Sequence, residues 1–251
     1  MVGVIPIALA IAFFVTALLY ASVGFGGGST YAALLAWFGL DYRLIPLIAL
    51  SCNIIVVLGS TIRFARVGLV PWRKALVLTA LAAPAAFLGG LTPIDRPDFM
   101  ALLGASLVLT AVTMLLPVRR GDDPTPTRFA RAMPFVAAPI GYLAGLVGIG
   151  GGIFLAPLLH LTRWSGAREV AATASIFILI NSLFGLVGQL LKPGAVPYGS
   201  IMASTLPLLV AVVVGGQIGS LMAAKLLPTK WVRWTTAALV MVVGARLLAG
   251  L

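Results

Sequence analysis

Gly24-Phe25-Gly26-Gly27-Gly28 and Gly148-Ile149-Gly150-Gly151-Gly152 decide how this chain folds, because the same glycine cluster interrupts two long apolar stretches. Such a cluster in hydrocarbon leaves backbone N–H and C=O groups without water, which is costly unless the backbone has a task there. Matching breaks in two halves of a chain are the sequence feature that best indicates the binding site of a transporter. The alternative is close helix packing through small residues.

The composition is that of a polytopic membrane protein. Hydrophobic residues make up 61% of the 251 residues and charged residues 9%, whereas soluble proteins carry about 25% charged residues. No Lys or Arg precedes the first apolar segment, so we expect no cleavable signal peptide. Ten apolar segments are predicted, near residues 4–23, 29–39, 44–62, 75–92, 99–117, 133–147, 153–162, 170–191, 201–224 and 232–250.

Charge and cysteine usage exclude several classes of function. The formal net charge is +11, but the basic residues are scattered over short loops and no basic run is interleaved with aromatics, so nucleic acid is not an expected partner. Cys52 is the single cysteine and His160 the single histidine, which argues against a disulfide, a metal site or a metal cofactor. No nucleophile–base pair is visible, and we predict that the protein is not an enzyme and needs no cofactor.

The two halves of the chain are copies of one unit. A shift of 124 residues superimposes the two glycine runs and also places Ser51 on Ser175. With a two-residue gap, the alignment continues to Gly59 on Gly185 and to Val70-Pro71-Trp72 on Val196-Pro197-Tyr198. The hydrophilic stretch between the copies is rich in charge and proline. We therefore predict a first membrane repeat over 1–118, a cytoplasmic linker over 119–131 and a second repeat over 132–251, together forming one integrated transport domain.

The distribution of basic residues predicts the orientation of the repeats. If each glycine-broken pair of segments enters the membrane and returns, thirteen of the 17 basic residues lie on one face and four on the other. If each pair crosses once, the division is ten and seven, so the positive-inside rule favours the first arrangement. The predicted fold is an all-α polytopic membrane protein with two inverted repeats. Each repeat has a glycine-broken, re-entrant-like helix pair and three spanning helices, and both termini are periplasmic.

The short segments that follow the glycines are predicted to bind an anion. The first turn of a helix has free N–H groups and the positive end of the helix dipole, and glycine lets a ligand approach closely. The spans contain almost no ionisable residue, which disfavours a cation carrier. The candidate binding residues are Gly26, Gly27, Gly28, Ser29, Thr30, Ser51, Asn53, Gly150, Gly151, Gly152, Ile153, Thr173, Ser175 and Asn181.

Other interpretations of individual polar residues stay open. Asn53 and Asn181 also suit interhelical hydrogen bonds that hold a helix bundle together. Cys52 fits a buried, inert thiol or a soft contact to a sulfur-bearing ligand. His160 fits a structural role or a pH gate.

The paired motifs resemble the TauE/SafE family of sulfite exporters. The stretches that carry this resemblance are Ser22-Val23-Gly24-Phe25-Gly26-Gly27-Gly28, residues 144–157, which end Gly152-Ile153-Phe154-Leu155-Ala156-Pro157, and Ala172-Thr173-Ala174-Ser175. The resemblance implies a permease of the bacterial inner membrane that moves sulfite, sulfoacetate or another organosulfonate outward. Ser29-Thr30 replaces the apolar pair that follows the second glycine run, so the two half-sites need not be equivalent.

The sequence is compatible with three functions. The leading hypothesis is a secondary transporter that exports a small sulfur-containing anion held between the two half-helix N-termini. The alternatives are an anion channel of the same architecture and a thiosulfate-type sulfur uptake protein, or membrane enzyme, that uses Cys52. The lipid bilayer is the expected environment, and a homodimer is one assembly that the sequence leaves open.

Overall fold

The computed structural model describes residues 6–23, 25–115, 128–194, 198–222 and 229–250, and this part of the chain is helical with connecting turns. Arg128–Ala132 forms a short 3₁₀ turn between the two halves. The helices are α1 (Ile7–Val23), α2 (Gly28–Trp37), α3 (Ile45–Arg66), α4 (Trp72–Leu91), α5 (Arg96–Leu115), α6 (Met133–Val147), α7 (Gly152–Leu161), α8 (Ala167–Leu191), α9 (Tyr198–Met222) and α10 (Thr229–Leu248).

The ten α-helices found among the described residues correspond one to one with the ten predicted apolar segments, which confirms the all-α prediction. Four of them, α3, α4, α5 and α8, are long and apolar enough to cross a bilayer. The helices α9 and α10 have 25 and 20 residues, and their described parts are apolar as well. The half-helices α2 and α7 have 10 residues each, or about 15 Å, against a hydrocarbon core of about 30 Å. The chain is therefore a multi-pass membrane protein in which α2 and α7 begin inside the bundle and do not span it.

The chain turns back on itself at the first glycine break. The rings of Phe13 in α1 and Tyr31 in α2 lie 4.8 Å apart, and the hydroxyls of Tyr20 and Thr30 are 2.9 Å apart. A helix that merely continued in the same direction would carry Tyr31 far from Phe13, so α1 and α2 form an antiparallel hairpin. The turn needs Gly27, whose φ of 78° lies in the left-handed region that side chains disfavour.

Glycine seams bring helices of one half against helices of the other. A Cβ atom on Gly141 or Gly145 of α6 would lie 2.3 or 1.9 Å from the carbonyl oxygen of Ala82 or Ala86 in α4. These distances allow no side chain, so the two backbones touch. Residue numbers increase in both helices from the first of these contacts to the second. The helices α4 and α6 therefore run in the same direction.

A second seam of the same kind joins α1 and α9. A Cβ atom on Gly215 or Gly219 would lie 2.4 or 2.1 Å from the carbonyl oxygen of Phe14 or Leu18. This pair also runs in the same direction. Each glycine-broken pair thus packs its long arm against the second spanning helix of the opposite half.

Three contacts at helix ends show which loops share a side of the bundle. The guanidinium of Arg246 lies 4.5 Å from the ring centre of Trp37, at the end of α2. The ammonium of Lys74 lies 5.4 Å from the ring centre of Trp164, just after α7. Lys192 follows the end of α8, and its pKa is lowered mainly by burial and secondly by the positive charge of Arg43. The loop that carries Arg43 therefore lies near the end of α8.

Some sequence predictions fall outside the described residues. They concern Gly24, the linker residues 119–127, the aligned pair Val196-Pro197, and Lys225.

Candidate functional site

The two glycine breaks meet at the side chain of Asn53, which is fully buried in α3. A Cβ atom on Gly26 or Gly28 would lie 2.4 or 2.3 Å from the Asn53 amide, and one on Gly150 of the other break would lie 2.6 Å from it. The Cβ position of Gly28 is also 2.5 Å from the carbonyl oxygen of Ile149. The predicted convergence of the two breaks is therefore present, and glycine is required because these backbones nearly touch.

The surroundings of the two breaks repeat with the spacing of the sequence duplication. The contacts are those of Gly27 with Thr16 and Tyr20, and those of Gly151 with Ile140 and Ala144. Each residue of the second set follows its counterpart by 124 positions. Gly27 and Gly151 precede their half-helices with φ of 78° and 74°. The two breaks are thus built to one plan.

The helices that follow the breaks differ at the centre of the site. Ile178 of α8 meets the Cβ positions of Gly152 at 2.2 Å and of Gly26 and Gly150 at 3.1 Å. Asn53 of α3 has the matching contacts with Gly28, Gly26 and Gly150. One half therefore presents an amide and the other an isoleucine, whereas a shift of 124 would have paired Asn53 with Phe177. An offset of one residue in α8 therefore brings Ile178 to this position instead of Phe177, which is also a hydrocarbon.

A small cavity lies between the breaks. Its volume is about 10 Å³, which is close to the minimum for a single water molecule. The lining residues are Tyr20, Phe25, Gly26, Gly27, Gly28, Ser29, Asn53, Ile149, Ile153 and Ile178. A polyatomic anion does not fit into a cavity of this size.

Two cavity-lining residues at equivalent positions, Ser29 and Ile153, have a backbone N–H group in the first turn of a half-helix. In the first turn of α2, the N–H groups of Thr30 and Tyr31 donate to Gly27 O, at 3.0 Å each. In α7, the N–H groups of Phe154 and Leu155 donate to Gly151 O, at 3.1 Å each. Among the described residues, no acceptor is found for the N–H groups of Ser29 and Ile153, the two cavity-lining positions related by the shift of 124. They are the free donors that a helix N-terminus offers to an anion.

Polar side-chain atoms without a partner accompany these N–H groups. Asn53 Oδ1 and Ser29 Oγ are buried, line the cavity and have no hydrogen-bond partner in the described structure. Ser182 Oγ is also unpartnered and lies 3.1 Å from the Cβ position of Gly150. Buried polar atoms are normally paired, so unpaired ones beside a cavity indicate a place where a ligand or water binds.

Other predicted residues have different surroundings. Thr30 bonds Tyr20 and thereby holds the α1–α2 hairpin, and Ser51 Oγ donates to Leu47 O at 2.8 Å. The remaining three, Thr173, Ser175 and Asn181, are buried in α8 but do not line the cavity. Both amide atoms of Asn181 and the hydroxyl of Thr173 lack a partner among the described residues.

Sequence reasoning missed Tyr20, Phe25, Ile149 and Ile178 as lining residues. Aromatic and aliphatic residues are the background of any membrane helix, so nothing in their identity distinguishes these four. Tyr20 alone had a usable signal, since a phenol inside a span needs a hydrogen-bond partner.

The described residues that line the cavity are all neutral. Cys52 is fully buried beside Asn53 and is not a lining residue. Within the described part of the chain, no group of three His, Cys, Asp or Glu side chains is close enough to hold a metal ion. The site therefore offers dipoles and hydrogen-bond donors rather than formal charge.

Comparisons with known proteins agree on the class. The family model described as "Sulfite exporter TauE/SafE" matches residues 9–247. A probable membrane transporter protein of Sinorhizobium fredii is 36% identical over 249 residues, which cover 96% of this chain and 98% of the relative. A probable membrane transporter protein of Methanocaldococcus jannaschii is 28% identical over 189 residues, covering 70% and 69% of the two chains. No solved structure matches the chain significantly.

Proposed function

Because this chain belongs to the TauE/SafE sulfite exporter family of membrane transporters, we propose that it exports a small sulfur-containing anion, either sulfite or an organosulfonate such as sulfoacetate. The observation that carries the proposal is the meeting of two half-helix N-termini at one cavity. Ser29 and Ile153 each contribute an N–H group without an acceptor in the described structure, and the lining holds no carboxylate. An anion between these donors would gain hydrogen bonds from both repeats.

The two repeats, residues 1–118 and 132–251, are inverted and joined by a cytoplasmic linker over 119–131, and they form one transport domain. The α1–α2 hairpin supports this arrangement, because a returning pair leaves each repeat with an odd number of crossings. The contact of Lys74 with Trp164 gives independent support. In the parallel alternative these two residues lie on opposite faces of the membrane, and the same holds for Arg246 and Trp37.

The chain ends are periplasmic and the membrane is the bacterial inner membrane. The face that carries Arg43, Lys192 and Arg246 has few basic residues, and the positive-inside rule assigns such a face to the periplasm.

Binding involves the residues of the two breaks and the polar positions beside them. Gly26, Gly27, Gly28 and Ser29 supply the first half-site, with Thr30 and Ser51 behind it and Asn53 at the centre. Gly150, Gly151, Gly152 and Ile153 supply the second half-site. Thr173, Ser175 and Asn181 of α8 line the route by which the anion reaches or leaves it. Motion of one repeat against the other opens the closed cavity to each side in turn.

Export needs no coupling ion. Movement of an anion out of a negative cell interior is favourable by about 2.3 kcal/mol per charge per 100 mV, so a uniporter suffices. The small closed cavity favours a carrier over a channel, because a channel needs a continuous pathway when it is open.

Flux of sulfite and sulfoacetate into proteoliposomes tests the proposal. The purified protein is reconstituted with a potassium diffusion potential of chosen sign, and anion uptake is followed over time. We expect protein-dependent flux that increases when the potential drives the anion. Flux equal to that of protein-free liposomes, or insensitive to both the potential and substitution of Gly27 or Gly151, contradicts it. Unitary currents under the same conditions would indicate a channel, and the mass of the purified protein distinguishes a monomer from a homodimer.

A further inference from the structure

We propose that the site selects an anion that carries a single negative charge and one hydrogen-bond donor, so that of the anions named above hydrogensulfite is the bound form, in preference to the sulfite dianion and to sulfoacetate, which is a dianion without a donor. This inference rests on the proposed function and specifies the chemistry of its substrate. The argument has two independent parts, the absence of positive charge at the cavity and the presence of an acceptor that lacks a partner.

The first part concerns charge. Among the described residues, those that line the cavity include no Lys, Arg or His, and the available donors are the N–H groups of Ser29 and Ile153 and neutral hydroxyls. The cost of moving an ion from water into a low-dielectric site rises with the square of its charge. Neutral donors offset this cost for a monoanion far better than for a dianion, which normally requires a paired cation.

The second part concerns the orientation of the Asn53 amide. Its Nδ2 group donates to Ile149 O at 3.2 Å. The reverse orientation would place two acceptors face to face, so the hydrogen bond fixes Oδ1 on the side of Gly26. Oδ1 is fully buried, lines the cavity and has no donor in the described structure.

An acceptor in this position is best satisfied by a donor on the ligand. An anion with oxygens alone would bring further acceptors towards Asn53 Oδ1 and leave it unpaired, which is unfavourable in a buried site. The hydroxyl of hydrogensulfite donates one hydrogen bond, and its other oxygens accept from Ser29 and Ile153. Methanesulfonate carries the same single negative charge and three oxygens on sulfur, but none of these oxygens is protonated, so it lacks the donor.

A dependence of flux on pH would come from the substrate. The titratable side chains nearest the cavity are Tyr20 of α1, Tyr31 of α2 and Cys52 of α3, which are buried and neutral around pH 7. The charged or titratable residues of the helices packed here lie towards helix ends, at Arg63 and Arg66 of α3, His160 of α7, and Arg168 and Glu169 of α8.

Competition in proteoliposomes tests the inference with the full-length protein. Flux is measured for sulfite on either side of the second pKa of sulfurous acid, and for methanesulfonate and sulfate, with protein-free liposomes as the leak control. For the wild type we expect sulfite flux to follow the fraction of sulfite that is present as hydrogensulfite. This flux should exceed methanesulfonate flux by about tenfold or more, which corresponds to the free energy of one well-placed hydrogen bond in a buried site. Sulfate should be transported least.

The variant Asn53→Leu separates selectivity from folding. We expect it to bring the ratio of hydrogensulfite to methanesulfonate flux close to one, even if both fluxes fall. Ser60→Ala is the matched control, since Ser60 lies two turns further along α3 and its hydroxyl donates within the helix to Val57 O. This control should keep the wild-type ratio.

The results against the inference differ from those against the proposed function. Equal wild-type flux of hydrogensulfite and methanesulfonate, preference for the dianion, or an unchanged ratio in Asn53→Leu overturns the inference while leaving anion transport intact. Absence of flux for every anion contradicts the proposed function, and the inference falls with it.

Discussion

The side-chain amide of Asn53, in α3, donates a hydrogen bond to the backbone carbonyl of Ile149, 96 positions further along the chain in the second glycine break. The N···O distance is 3.2 Å and both groups are buried. This bond ties a spanning helix of the first half to the broken helix of the second. The bond also fixes the orientation of the amide, so that Asn53 Oδ1 is the atom left without a partner beside the cavity between the breaks.

Substitution of Gly28 by alanine should block transport. The added Cβ would lie 2.3 Å from Asn53 Nδ2 and 2.5 Å from Ile149 O, and overpacking of this kind costs about 1–3 kcal/mol. We expect anion flux to fall by about tenfold or more. Gly59→Ala is the control, because nothing lies within 4 Å of its Cβ position. If both variants transport normally, the closeness of the breaks has no functional role.

A clash created by substitution of Gly152 should be relieved by a smaller side chain at position 178 of α8. A Cβ atom on Gly152 would lie 2.2 Å from Cγ1 and 2.4 Å from Cδ1 of Ile178. We expect Gly152→Ala to lower flux and thermal stability, and the double variant with Ile178→Ala to recover part of both. Contacting residues typically show coupling of about 0.5–3 kcal/mol. Strictly additive effects in this double-mutant cycle would mean that the two positions do not touch.

Asn53→Asp should abolish anion transport while keeping the shape of the side chain. A carboxylate about 4 Å from a bound anion repels it by about 4 kcal/mol at an effective dielectric constant of about 20, so flux should fall by more than about a hundredfold. Size-exclusion profiles of the detergent-solubilised variant verify folding. Wild-type flux in a folded variant would exclude Asn53 from the anion site.

Labelling of single cysteines tests the inverted arrangement. In a Cys52→Ala background, Lys192→Cys and Arg246→Cys should react with a membrane-impermeant maleimide added to the periplasmic side, and Lys74→Cys should not. Arg246 and Lys74 are exposed at helix ends, and Lys192 is partly exposed. Labelling of all three residues from one side would instead indicate parallel repeats.

Cys52→Ala should leave anion flux close to that of the wild type. Cys52 is buried and absent from the cavity lining. Alanine is smaller than cysteine and has a high helix propensity, so α3 should accept it readily. Flux of sulfite and of thiosulfate is compared in the two proteins. A selective loss of thiosulfate flux would favour the alternative in which the thiol takes part in sulfur uptake.

Much of the fold was predictable because membrane segments are marked by length and apolar composition. All ten segments were recognised, and α2 and α7 were identified as half-helices from the glycines before them. At the site, the predicted residues Ser29, Asn53 and Ile153 line the cavity between the breaks, and their part in substrate binding stays a prediction. Ile178 could not be recognised, since isoleucine in a membrane helix looks the same whether it faces lipid or a cavity.

The amino-acid sequence alone determines the duplication and the positions of the two breaks, because glycine clusters and apolar runs act locally on the backbone. Which side chain stands between the breaks depends on how α3 and α8 rotate against them, and one residue of offset turns a helix by about 100°. That rotation puts Asn53 opposite Ile178 instead of Phe177. Since Phe177 and Ile178 are both hydrocarbons, the sequence already made the two halves unequal at this position, and only packing across the two halves decided that Asn53 and Ile178 are the side chains that meet the breaks.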